Sequence, residues 1–245
     1  MNIEIFPTEN KPKDKKYDKL KILYSWIPIP PFRIVVIGCT GSGKSSMVYS
    51  LVKTYQQKEY FNYIKIYNKS IDAVDGWSSL STKNSTITIQ SNFDNNELKM
   101  LLKNIEQIQE EQKEKKRKPI KTLIIFDDMI GDDISKTTKM NAIDEVFMRG
   151  RHLNISVIIV SQSYKKLNRS MRNLNLSHLI VCRVNPSDLS MISEEHQTDI
   201  VPQDTIKEIY SQIMKNKYQF LVVDYSDNIE NRFKQNFSKL KIYSN

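Results

Sequence analysis

The stretch "RIVVIGCTGSGKSSMVYSLVKTYQQ" (33–57) decides the fold. A β-branched run is followed at once by glycines at 38, 41 and 43, and then by a stretch that reads as a helix. Within it "GCTGSGKS" (38–45) fits G-x-x-x-x-G-K-[ST], with the strand before it and the helix after it that the motif requires. Gly41 and Gly43 let the backbone turn so that successive N–H groups face phosphate oxygens, and the following helix N-terminus adds its dipole. The cradle expected from this geometry comprises Gly38, Cys39, Thr40, Gly41, Ser42, Gly43, Lys44, Ser45 and Ser46. Lys44 is expected to reach the β- and γ-phosphates of ATP, and the Ser45 hydroxyl to ligate Mg2+.

Outward from this stretch, similar short apolar runs recur: "YIKIYN" (63–68), "STITIQ" (85–90), "TLIIFDD" (122–128), "ISVIIV" (155–160), "HLIVC" (178–182) and "YQFLVVDY" (218–225). Most are separated by enough chain for a helix. Nearly continuous apolar strands alternating with helices predict an α/β fold of the P-loop NTPase (RecA/ASCE-like) kind. Its sheet is expected to be mostly parallel, with helices on both faces. Segment 98–120 begins amphipathic and becomes densely charged, which reads as a solvated helix end before Pro119.

The run "TLIIFDD" ends in two carboxylates. Asp127 stands where a strand-end acid holds Mg2+ through water, and Asp128 is then free to orient and polarise an attacking water. The other reading is a strand that simply ends in the acidic turn "DDMIGDD" (127–133). Further strand-like runs lie between the P-loop strand and this one. The two are therefore expected to be separated in the sheet by a later strand, as in P-loop ATPases with a second acid beside the magnesium acid.

The next buried strand carries polar groups at both ends, in "RGRHLNISVIIVSQSY" (149–164). In a parallel sheet its exit lies at the same edge as the P-loop. Gln162 is thus expected to reach the γ-phosphate or the attacking water. Arg149 and Arg151 precede the strand, at the edge too far from those phosphates to touch them. Either they pair with local acids such as Asp144 or Glu145, or they serve the nucleotide of an adjacent copy. An arginine given in trans neutralises charge on the transferred phosphoryl group. His152 reads as an orienting or packing residue.

Composition narrows the partners. The chain has 245 residues, enough for one substantial core, with 37 Lys+Arg against 28 Asp+Glu and a net charge of +9. That balance favours a polyanion or describes a merely soluble basic surface. Cys39 and Cys182, the two cysteines, sit in or beside strand-like runs, which argues against a disulfide framework or zinc site. The start has no apolar core of signal-peptide length, and no run approaches the roughly 18 apolar residues of a membrane span. The expectation is an intracellular soluble protein.

The set "GCTGSGKSS", "LIIFDDM", "RGRHLNISVIIVSQSY" and "FLVVDY" followed by "RFKQNF" resembles the genome-packaging ATPases of large double-stranded DNA viruses and their virophages. These belong to the FtsK/HerA superfamily of ring-forming translocases. The resemblance implies an ATPase that pumps double-stranded DNA into a preformed capsid as a homo-oligomeric ring of five or six subunits. It works with capsid or portal components, in the viral factory of the host cytoplasm or associated with the virion. Carried over, Lys44 and Ser45 bind phosphate and Mg2+, Asp127 is the Walker B acid, Asp128 is the catalytic base where the wider superfamily often has Glu, Gln162 is the strand-tip sensor, and Arg149 or Arg151 is the trans finger.

The expected organisation is an arm over 1–30, an ATPase domain over 31–237 and a tail over 238–245. Basic candidates for DNA contact are "SKTTKMN" (135–141) and, after the sensor, Lys165, Lys166, Arg169 and Arg172, which line a pore, a subunit contact or plain surface. Trp26 and Phe32 either stack on adenine or pack in the core. Two competing functions remain: a P-loop kinase or other phosphotransferase, and a nucleotide-gated adaptor in capsid assembly.

Overall fold

The computed structural model describes residues 3–6, 27–69, 74–129 and 142–242. Trp26 and the basic segment 135–141 therefore lie outside the described residues. The strands are β1 (Ile3–Phe6), β2 (Arg33–Ile37), β3 (Tyr63–Asn68), β4 (Thr86–Gln90), β5 (Thr122–Asp127), β6 (Ile155–Ser161), β7 (His178–Val181), β8 (Leu221–Asp224), β9 (Phe233–Gln235) and β10 (Ser238–Ile242). The α-helices are α1 (Lys44–Gln56), α2 (Val74–Ser78), α3 (Asn95–Glu114), α4 (Ala142–Arg149), α5 (Pro186–His196) and α6 (Gln203–Ile213).

All ten strands form one sheet, in the order β1-β10-β9-β8-β7-β2-β6-β5-β3-β4. From β7 to β4 every neighbour is parallel, and β6 lies between β2 and β5 as the run spacing predicts. The run at 218–225 departs from the parallel rhythm: β8 pairs antiparallel with β7, and β9, β10 and β1 continue antiparallel. The reason lies in the connection. One helix between strands returns the chain in the same direction, whereas α5 and α6 in succession between β7 and β8 reverse it. Ile3–Phe6 and Ser238–Ile242, from the two ends of the chain, pair at the outer edge.

Strand alternation divides the core into two layers. Val35, Ile37, Ile124, Phe126, Val157 and Ile159 face α3, α4, α5 and α6. Ile34, Val36, Leu123, Ile125, Ile158 and Val160 face the opposite side, against α1. Each such fully buried aliphatic side chain contributes about 1.5–3 kcal/mol, so the central strands form a stiff platform for the polar residues at their ends. Helix starts are written locally. Asp94 caps α3 by accepting from the N–H groups of Asn96 and Glu97, and Asn185 caps α5 ahead of Pro186.

Candidate active site

The P-loop is held by its neighbours rather than by its own side chains. The Gly38 N–H donates to the Ser161 carbonyl at 3.3 Å, and the Cys39 N–H donates to the Arg183 carbonyl at 2.7 Å. The loop is thereby fastened to the exits of both strands flanking β2. A Cβ at Gly38 would lie 2.6 Å from Ser42 Oγ and 2.7 Å from Cys182 Cβ, so the close approach excludes any side chain there. Gly43, at φ +90°, turns the chain into α1 and leaves the first helical N–H groups facing the loop's hollow. Thr40, Gly41 and Ser42 form the rim, and Lys44 Nζ donates to the Cys39 carbonyl at 2.9 Å, across the loop's mouth. Ser45 and Ser46 are exposed on the first turn of α1.

Beside this cradle stand the ends of β3, β5 and β6. Register places Asn68, Asp127 and Val160 side by side, so their polar exits emerge together. Asp127 is buried, and burial pushes its carboxyl pKa up; a hydrogen bond from Ser45 works the other way, and the charge of Asp128 adds to the rise. Asn68 Nδ2 donates to Asp127 Oδ2 at 3.4 Å. That amide escapes sequence reasoning, since "YIKIYN" shows only a strand that ends in Asn; the signal was its position, level with the acid.

Asp128 is exposed and sits at φ +54°, in the left-handed region that aspartate tolerates better than most residues. The twist turns consecutive carboxylates apart: Asp127 stays in the core and Asp128 turns outward. Gln162 Nε2 donates to Asp128 Oδ2 at 2.8 Å, and Thr40 Oγ1 donates to Gln162 Oε1 at 3.3 Å. A chain of hydrogen bonds thus joins the P-loop, the sensor position and the second acid. The oxygen set of Ser45 and Asp127, with a buried carboxyl whose ionised form burial disfavours, fits a hard divalent cation such as Mg2+.

The arginines lie at the other edge. Arg149 ends α4 and is largely exposed; its Nη1 is 3.4 Å from Glu145 Oε1, one turn back. Arg151 and His152 are exposed on the short 3-10 turn Gly150–Leu153 that leads into β6. Arg151 makes no ion pair among the described residues. It borders a hollow of about 350 Å³ shared with Lys113 and Arg117. Nearby Arg33, at the foot of β2, has its pKa lowered by burial and then by the charge of Arg151. β6 separates this group from Gln162; at ~3.3 Å per residue its seven residues span ~23 Å, beyond the reach of a side chain.

Of the two readings open for Phe32, the structure gives core packing: it is buried, tilted against Tyr55 and edge-on to Phe61. One expectation needs correction. Arg172 is not free for a pore or a neighbour, because the turn Ser170–Leu174 points it inward, where its Nη1 lies 2.5 Å from Glu195 Oε1 and its guanidinium covers the Tyr164 ring. Lys165, Lys166 and Arg169 are exposed. No helix among the described residues is long and apolar enough to cross a membrane.

A profile of the family described as Poxvirus A32 protein matches residues 20–237. The chain is 32% identical over 163 residues to the DNA packaging protein OPG160 of variola virus and to that of vaccinia virus, covering 64% of this chain and 55% of each relative. It thus spans about half the length of the curated relatives it matches. Its fold is similar to that of B204, the DNA-packaging ATPase from Sulfolobus turreted icosahedral virus, with a TM-score of 0.59 at 19% identity over 87% of this chain and 99% of that one. It is similar also to ATPases 2 and 3 of EssC from Geobacillus thermodenitrificans, with a TM-score of 0.59 at 13% identity over 87% of this chain and 40% of that one.

Proposed function

That the chain belongs to the poxvirus A32 protein family is the premise from which we propose an ATP-driven motor that moves double-stranded viral DNA into a preformed capsid. The observation that carries this reading is the division of the chemistry between opposite edges of one sheet. The cradle, the acid pair and Gln162 gather at one edge, and Arg151 stands at the other, exposed and without an ion pair among the described residues. A finger that cannot reach its own phosphates fits a ring in which each subunit completes the next one's site.

In this mechanism Lys44 and the N–H groups of residues 43 to 46, at the turn into α1, hold the triphosphate, while the Gly38 and Cys39 N–H groups keep the loop fastened to its flanking strands. Mg2+, held by the Ser45 hydroxyl and through water by Asp127, would supply charge neutralisation on the β- and γ-phosphoryl oxygens. Asp128 accepts the proton of the attacking water. Gln162, anchored to Asp128 and Thr40, orients that water in line with the phosphoryl group. Arg151 of one protomer neutralises the charge that develops on its neighbour's transferred group; Arg149, already paired with Glu145, is the lesser contributor. The working unit is 31–237, in a ring of five or six copies, with exposed Lys165, Lys166 and Arg169 offered to DNA phosphates. Capsid or portal components are its docking partners, and the viral factory of the host cytoplasm is its place of work.

Mixing subunits tests the division directly. Lys44→Ala and Arg151→Ala proteins, each inactive alone, are expected to regain part of the DNA-stimulated ATPase rate when combined, because some interfaces then pair an intact cradle with an intact arginine. Absence of rescue, with wild-type turnover independent of protein concentration and of duplex DNA, would overturn the ring reading and leave a solitary phosphotransferase.

A further inference from the structure

A cavity of about 620 Å³, within the range usual for small-molecule sites, opens beside the cradle. One wall is the P-loop side of α1, from Gly43 and Ser46 to Leu51. The other belongs to the antiparallel extension, where Tyr218, Phe220 and Phe237 present their rings. Phe220 and Phe237 are buried and pack edge to face with centroids 5.4 Å apart, which makes a rigid apolar floor. Tyr218 is different. It is 71% exposed and lies over Gly43, close enough that a Cβ at Gly43 would come within 3.1 Å of its ring.

Water-exposed aromatic surface next to a phosphate cradle invites a flat partner. The N–H groups at the start of α1 fix where the phosphates lie, and a nucleotide leaving them on the Ser46 side enters this cavity. We propose that the cavity holds the nucleotide's purine, stacked on Tyr218, and that it selects for a stackable ring rather than for adenine. This rests on the ATP-binding reading above. The weak selection follows from the polar groups of the lining. Asn236 is held by its neighbours in the chain, with Oδ1 accepting from the Phe220 N–H at 3.0 Å and Nδ2 donating one hydrogen to Gln219, which fixes its amide away from free rotation toward a base. The Ser50 and Thr54 hydroxyls donate back to the Ser46 and Ser50 carbonyls, each at 2.9 Å. A site that does not use its buried polar groups to read a base edge rejects the wrong base poorly. The left-handed backbone at Tyr218, Asn236 and Phe237, at φ +60°, +47° and +69°, places these side chains and is a strained arrangement of the sort found at ligand clamps.

Calorimetric titration of the full chain with ATP, GTP and inorganic tripolyphosphate tests this. Stacking of a base on an aromatic ring predicts that Tyr218→Ala weakens ATP and GTP alike by roughly 5- to 100-fold. Tripolyphosphate, which has no base, should bind the variant and the wild type equally, and Tyr218→Phe should behave as wild type. ATP and GTP are expected to bind the wild type within about 10-fold of one another. Unchanged ATP affinity in Tyr218→Ala, or an equal loss for tripolyphosphate, overturns the purine pocket while leaving the cradle intact. A wild-type protein that binds neither ATP nor tripolyphosphate overturns the nucleotide reading itself.

Discussion

At the carboxyl edge of the sheet, Thr40, Gln162 and Asp128 hold one another, and Asp127 is buried against Asn68 and Ser45. At the amino edge, Arg151 projects from a single turn, next to the like charge of Arg33 and without an ion pair among the described residues. Groups that touch the same ligand in every cycle can be fixed by one chain's own hydrogen bonds. A group that must enter a neighbour's site gains nothing from being tied at home, and a mutual repulsion keeps it extended. The difference teaches where the proposed ring would make its contact: the half-satisfied edge, not the well-satisfied one, is the surface left to offer another copy.

The largest effect expected from breaking this contrast falls on the exposed edge. Arg151→Ala should lower turnover by about 10³- to 10⁵-fold while ATP still binds, since the guanidinium acts on charge that exists only during transfer. Arg149→Ala should cost less than about 10-fold; its exposed pair with Glu145 is worth only about 0.3–0.5 kcal/mol and is local. Steady-state ATPase assays on assembled protein decide between them. A large loss confined to Arg149→Ala would reverse the assignment.

The next effect belongs to the fixed edge. Asp128→Asn removes the proposed proton acceptor and keeps the shape, so turnover should fall about 10²- to 10⁴-fold with ATP retained. Trapping of labelled ATP in single-turnover mixing measures both quantities. Undiminished hydrolysis would assign the proton to another group and reduce Asp128 to an anchor for Gln162.

The two edges were unequally legible in sequence. The cradle is local: its glycines, lysine and serine follow one another, and backbone rules assign their places. Asp127 and Asp128 follow from a strand's end, and the interposed β6 from the spacing of runs. Asn68 was hidden because its meaning depends on register, which brings it level with Asp127, 59 positions on in the chain, and Arg33 because only the folded chain brings it within reach of the charge of Arg151. The antiparallel β8 was hidden because an apolar run looks the same in either direction. Arg172 read as surface because its local sequence is basic, and only tertiary packing shows Glu195 waiting for it. Tyr218 escaped notice as the first residue of an expected strand; the strand starts at Leu221 and leaves its ring outside.

The smallest effect concerns what braces the carboxyl edge from behind. Two residues past Gln162, Tyr164 Oη lies 2.7 Å from His196 Nε2 and 2.6 Å from Glu195 Oε2, while His196 Nδ1 meets Tyr225 Oη. The Tyr164 hydroxyl donates to Glu195, so His196 Nε2–H donates to Tyr164 and Nδ1 accepts from Tyr225: a neutral ring with both nitrogens used. Burial, then the charges of Arg172 and Arg232, bring the His196 pKa down to about 3. Above about pH 6.5 neither folded nor unfolded histidine is charged. Below it the unfolded ring takes a proton that the folded one refuses, so stability falls as pH drops from about 6.5 toward 3, by about 2 kcal/mol between pH 7 and pH 5. Asp224 does not contribute between pH 7 and pH 5. Burial works to raise its pKa, but the hydrogen bonds from His178 and Lys234 outweigh it and lower the net value. Its support is therefore lost only at pH values below the ordinary carboxylate range. Chemical denaturation at pH 5, 6 and 7 should show the decline in the wild type and a flatter profile in His196→Gln. Equal slopes would mean that the acid sensitivity lies elsewhere, and that the brace behind Gln162 is held by Glu195 and Arg172 without help from the imidazole.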